Sequence, residues 1–94
     1  MRRKARVDSN HAEIVKFFRS VPGCAVLDLS RVGGGCPDIL ICHQQVLSLI
    51  EIKHGELSPS RKKLTPDQDK FHQKWPGPIY IIESIKAAET LLGL

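Results

Sequence analysis

The chain lacks any apolar run approaching the roughly 18 residues of a membrane-spanning helix, which excludes a reading built on transmembrane segments. It also lacks the apolar stretch of a secretion leader. The start, Met1-Arg2-Arg3-Lys4-Ala5-Arg6, is basic, but polar Asp8, Ser9 and Asn10 follow it. Cysteine is scarce. Cys24, Cys36 and Cys42 are odd in number and without C-x-x-C spacing, so neither a zinc site nor a disulfide framework is indicated, and buried thiols are expected. Nothing repeats internally. The expectation is an intracellular protein, cytoplasmic and without a membrane role.

What is present is small and basic. Ninety-four residues suit one domain, here 1–94, with 1–9 as a basic N-terminal arm. A chain of this size buries only about two-thirds of its unfolded surface, so it has one modest core. Lysine and arginine exceed aspartate and glutamate by four, a balance that suits a polyanionic partner.

Periodicity divides the chain into short elements. Ile14, Val15, Phe17 and Phe18 form the apolar stripe of a first helix from about Asn10 to Ser20, ended by Val21-Pro22-Gly23. Three β-rich runs follow, Cys24 to Ser30, Asp38 to His43 and Val46 to Lys53. Gly33-Gly34-Gly35 and the tight His43-Gln44-Gln45 connection separate them, as in an antiparallel meander. Thr65, Pro66 and Gln68 carry the cap, first-turn proline and N3 acceptor of a second helix that Pro76-Gly77-Pro78 must end. A strand from Ile79 to Glu83 and a helix from Ser84 to Leu92 complete the order αβββαβα. The helical crossover makes the third and fourth strands parallel, predicting an α/β fold with a mixed four-stranded sheet flanked by helices.

The chemistry sits on two of these strands. Alternation places Leu47, Leu49, Glu51 and Lys53 on one face, so Glu51 and Lys53 point the same way with Cα atoms about 6.5 Å apart. Asp38 opens the neighbouring strand after a glycine-rich turn that allows close backbone approach, and hairpin register sets it opposite Glu51. Two carboxylates so placed repel unless a cation separates them. Oxygen donors suit hard ions, so Asp38, Glu51 and the Ile52 backbone carbonyl are expected to bind Mg2+, with Mn2+ as a substitute. Lys53 would orient the attacking water and offset charge on the reacting phosphate. If repulsion dominates, removing either acid should cost little stability.

Gly35-Cys36-Pro37-Asp38, Glu51-Ile52-Lys53 and Leu64-Thr65-Pro66-Asp67-Gln68 together resemble the G-x-P-D, E-x-K and L-[ST]-P-x-Q motifs of the VRR-NUC family of PD-(D/E)XK nucleases. The likeness spans about residues 10 to 83. It implies a restriction-endonuclease-like αβββαβ core and a metal-dependent DNA phosphodiesterase leaving a 5′ phosphate and a 3′ hydroxyl. Small stand-alone members are similar to Holliday-junction resolvases and act as homodimers, which points to branched DNA, DNA repair and recombination. The resemblance makes Asp38 and Glu51 metal ligands and Lys53 the catalytic lysine. It adds Glu13 on the first helix and Gln68 on the second as further site residues.

Alternatives stand beside this reading. Asn10 with Glu13, and Thr65 with Gln68, have the spacing of capping boxes, which would make Glu13 and Gln68 structural. Arg61, Lys62 and Lys63 follow the catalytic strand and would contact DNA phosphates, as would Lys16, Arg19, Lys70 and Lys74 from helices. A flap or single-strand nuclease, a non-catalytic nucleic-acid-binding module and a subunit of a larger repair complex are the competing functions. Trp75 and Leu91-Leu92 are candidate surfaces for a homodimer.

Overall fold

A computed structural model describes residues 10–54 and 64–94. The basic arm and the Arg61-Lys62-Lys63 run lie outside the described residues. The elements are α1 (His11–Ser20), β1 (Cys24–Asp28), β2 (Ile39–His43), β3 (Val46–Ile52), α2 (Pro66–Lys74), β4 (Ile79–Ile82) and α3 (Ile85–Leu92). The sheet order is β1-β2-β3-β4, antiparallel up to β3 and parallel between β3 and β4. The expected mixed four-stranded sheet with helices is present. Among the described residues no helix is long and apolar enough to cross a membrane.

Strand ends fall one or two residues inside the expected ones, for local reasons. β1 stops at Asp28 because its carboxylate accepts the Ser30 N–H at 2.8 Å, an Asx turn that diverts the backbone. The β2-β3 hairpin turns through Gln44 and Gln45 with φ of 52° and 68°, the doubly left-handed turn whose twist suits adjoining strands. This fixes His43 opposite Val46 and Ile39 opposite Ile50.

One sheet face carries the core. Ile39 and Ile41 of β2, Ile50 and Ile52 of β3 and Ile82 of β4 meet Ile14, Val15 and Phe18 of α1 and Ala88 of α3. Each large aliphatic or aromatic side chain so buried contributes about 1.5–3 kcal/mol relative to exposure. Leu91 and Leu92, candidates for a dimer surface, are half-buried and pack against this cluster. The α3 cap is conventional: the Ser84 hydroxyl accepts the Ala87 N–H at 3.1 Å, and Gly93 ends the helix at φ 78°.

The opposite face has a different character. Strand register arranges it in rows across the sheet, first Ala25, Cys42 and Leu47, then Leu27, Leu40, Leu49 and Ile79, then Glu51 and Ile81, with Asp38 beside them just before β2. Two apolar rows thus adjoin the acidic one. α2 approaches this face through Gln68, and Leu27, Leu47 and Ile81 remain exposed, Leu47 at 63%.

The hairpin generates a prediction. Left-handed conformation costs a non-glycine residue about 1–2 kcal/mol, so Gln44→Asn combined with Gln45→Gly should stabilise the fold. The expected rise in Tm by thermal circular dichroism is roughly 4–8 °C for about 1 kcal/mol. An unchanged or lowered Tm would show that the glutamine side chains make compensating contacts.

Candidate active site

Asp38 does more than open a strand. Its N–H donates to the Ile50 carbonyl at 3.0 Å, while its own carbonyl turns toward β1 and accepts the Leu29 N–H at 2.8 Å. Beyond the last ladder pair the side chain takes over as acceptor: Asp38 Oδ2 accepts the Ile52 N–H at 2.7 Å. In an extended strand the N–H and C=O of one residue leave by the same edge, so the Ile52 carbonyl is directed toward the end of β2 at Asp38. The Asp38 carboxylate and the Ile52 carbonyl therefore converge, and Glu51 lies between Ile50, which accepts the Asp38 N–H, and Ile52, which donates to the Asp38 side chain.

Glu51 and Lys53 are 2% and 8% exposed, an unusual degree of burial for charged side chains in a small domain. One amide serves both. Gln68 Nε2 donates to Glu51 Oε2 at 3.0 Å, and Lys53 Nζ donates to Gln68 Oε1, also at 3.0 Å. The same Oε1 accepts the Thr65 N–H at 2.9 Å, while the Thr65 hydroxyl accepts the Gln68 N–H at 3.2 Å. Gln68 thus closes the capping box of α2 and bridges the acid and the lysine with one side chain. The two readings of this residue, cap or site, describe the same group of atoms.

The glycine turn explains how α2 comes so near. Gly35 has φ of 82°, and a β-carbon there would run into the backbone carbonyl of Asp67 and the backbone nitrogen of Gln68. Any larger residue would push away the turn of α2 that carries the bridging amide. The anticipated close approach of backbones is thus between this turn and α2.

Three neighbours were missed in the sequence. His72 lies one turn beyond Gln68 on α2, and its pKa falls below the ordinary 6.5, through burial first, with Lys53 also lowering it against an opposing effect from Asp69. The i, i+4 spacing from Gln68 was the available signal. The Cys36 thiol is pushed up from its usual range, by burial first and then by the charges of Glu51 and Asp38. Asn10 donates through Nδ2 to the carbonyls of Lys53 and Glu83, both at 3.1 Å, clasping α1 to the ends of β3 and β4. Lys53 N–H continues the ladder to the Ile82 carbonyl at 3.1 Å.

Other expected residues stand apart. Glu13 lines a cavity of about 450 Å³ with Asn10, His54 and Glu83. It is not half of a capping box, because the Asn10 side chain makes no cap bond to α1. Lys16 and Arg19 are exposed on α1, across the sheet from the acidic row, so the structure does not gather them at this site. All three cysteines are free and half-buried.

Asp38, Glu51 and the Ile52 carbonyl offer a wholly oxygen donor set, which fits a hard divalent cation that keeps several waters. Among the described residues no group of three or more histidine, cysteine, aspartate or glutamate side chains gathers to hold a metal. That distinguishes this arrangement from a closed structural zinc centre. No family model, curated protein or solved structure matches the chain.

Two outcomes follow from this geometry. Asp38→Ala leaves the Ile52 N–H without its acceptor at a buried position and should cost about 1–3 kcal/mol in urea denaturation. The little-cost expectation based on repulsion alone is thereby replaced. Asp38→Asn keeps an oxygen there and should lose much less; equal losses would mean the carboxylate does not close the ladder.

His72 sets a pH dependence. Its depressed folded pKa means the unfolded chain protonates first, so the His72 contribution is present above 6.5 and is lost as pH falls through the folded pKa. Chemical denaturation across this range should show the decline in wild type and a flatter profile in His72→Gln. Identical profiles would remove His72 as the cause.

Proposed function

We propose that this chain is a metal-dependent DNA endonuclease that hydrolyses phosphodiester bonds in branched DNA, with four-way junctions as the leading substrate. The observation that carries this reading is the buried Glu51-Gln68-Lys53 bridge beside Asp38. Burying an acid and a lysine is expensive, and a fold seeking stability alone would favour apolar residues there. The amide holds both charged groups in defined positions, which serves chemistry more directly than packing. The motif resemblance to VRR-NUC nucleases supports the same reading and supplies the expected products, a 5′ phosphate and a 3′ hydroxyl.

In this mechanism Asp38, Glu51 and the Ile52 carbonyl would hold Mg2+, or Mn2+ in its place. Such a cation, when bound, lowers the pKa of a water and offsets phosphate charge. Lys53 orients the attacking water and stabilises charge that develops on the phosphate oxygens. Gln68 keeps the Lys53 ammonium and the Glu51 carboxylate at fixed positions without touching substrate itself. Pairing of Asp38 with the Ile52 N–H fixes the carboxylate against the strand that carries the other two groups.

The assembly proposed is a homodimer in which each copy cuts one strand, since one chain carries one such site and a junction has two-fold symmetry. Leu27, Leu47 and Ile81 on the open face are a better candidate surface than Leu91-Leu92. A cytoplasmic setting in a bacterial or phage-infected cell, in DNA repair or recombination, fits such an activity.

The test is cleavage of labelled four-way junction, flap, splayed-arm and linear duplex DNA. Wild type should cut with Mg2+ or Mn2+ and bind with little cutting in Ca2+. Glu51→Gln and Lys53→Arg should retain DNA binding and lose about 100-fold or more in rate. Binding without cutting in every cation would instead identify a non-catalytic module.

A further inference from the structure

α2 presents two adjoining stripes. Gln68 and His72 face the charged pair, while Asp67, Lys70, Phe71, Lys74 and Trp75 recur at intervals of three and four along the neighbouring stripe. With Gly34 they line a separate cavity of about 430 Å³. One wall is aromatic: the Phe71 and Trp75 rings stack with centroids 5.4 Å apart and planes inclined by 17°. Trp75 is the chain's single tryptophan and is 45% exposed, so core burial does not account for it. Across the cavity Gly34 contributes bare backbone, with nothing within 4 Å of where a β-carbon would stand.

The composition of this cavity selects its occupant. A flat aromatic wall with two ammonium groups beside it suits a planar, unsaturated ring joined to an anion. A second copy of the chain is disfavoured, because it would bring Lys70 and Lys74 against their own counterparts. A base inside a duplex is already stacked and cannot reach the ring. We propose that this pocket binds an unpaired nucleotide of DNA, with its base stacked on Trp75 and its flanking phosphate between Lys70 and Lys74.

This inference deepens the nuclease reading and rests on it for where the cut falls. Seven residues of helix separate Gln68 from Trp75, about 10 Å along α2. At 3.4 Å per stacked nucleotide that is about three steps, so the unpaired base lies within roughly three nucleotides of the scissile phosphate. Flaps and splayed arms offer such a base directly, and a four-way junction offers one where a pair at its crossover opens. The pocket therefore adds an unpaired nucleotide near the branch point to what the proposed activity recognises.

The experiment measures binding of a short oligothymidylate and of a blunt duplex in Ca2+, by fluorescence anisotropy of labelled DNA and by quenching of Trp75 in the wild type. Oligothymidylate should quench Trp75 strongly. Trp75→Ala should weaken oligothymidylate binding by roughly tenfold or more and leave duplex binding unchanged. Trp75→Tyr, which preserves an aromatic face, should restore most of the loss, and Lys70→Gln with Lys74→Gln should give a shallower salt dependence. Wild-type oligothymidylate affinity in Trp75→Ala would overturn the proposal, as would a fall in sedimenting mass showing that Trp75 joins two copies. The two readings fail separately. Quenching that Trp75→Ala removes, in a protein that cuts nothing, keeps the pocket and ends the nuclease reading. Metal-dependent cutting with unaltered Trp75→Ala binding does the reverse.

Discussion

The side-chain amide of Gln68 is the constraint on which the site depends. It satisfies the first turn of α2 through Thr65, and it spans from there to Glu51 and Lys53 on β3. No residue of α2 is fully buried, so the helix is placed mainly by this bridge and by its contact with Gly35. The hydrogen bonds that define where α2 begins therefore also define where the charged groups stand. The aromatic pocket further along the same helix inherits its position from them.

The remaining architecture supports that bridge from the opposite side. The isoleucine-rich core fixes β2, β3 and β4 against α1 and α3, and alternation then sends Glu51 and Lys53 to the other face. Asn10 reinforces this from the helical layer by holding the carbonyls of Lys53 and Glu83. Those two bonds from Nδ2 hold the side chain toward the strand ends, and its Oδ1, the atom a cap would use, accepts no hydrogen bond from the start of α1.

Much of the fold was legible because its signals are local or periodic. The isoleucines at alternate positions, the Pro76-Gly77-Pro78 stop and the Thr65-Pro66-Gln68 cap each determine an element within a few residues. The hairpin register was legible as far as Ile39 opposite Ile50, but Asp38 leaves the expected pairing with Glu51 by donating its N–H to Ile50 as well. What the sequence could not show was competition between local and distant partners. Asn10 and Glu13 have capping spacing, yet the amide finds backbone carbonyls 43 and 73 residues away. Cap and site seemed alternatives for Gln68 because spacing does not reveal that one oxygen accepts from two donors. The sequence was silent on Leu91 and Leu92 for a similar reason: they end an amphipathic helix, and only the packing of α3 decides that they lie against the core.

The substitution of the Asp38 carboxylate for a backbone carbonyl has a consequence for how such a chain can change over time. Most replacements at this position injure the fold and the proposed chemistry together, so drift through them is closed off. Asp38→Asn alone keeps the acceptor while removing the charge. A lineage that ceased to cut but kept the domain for another purpose would therefore pass most readily through that single exchange, and the residue at 38 would record the change while the rest of the scaffold stayed the same.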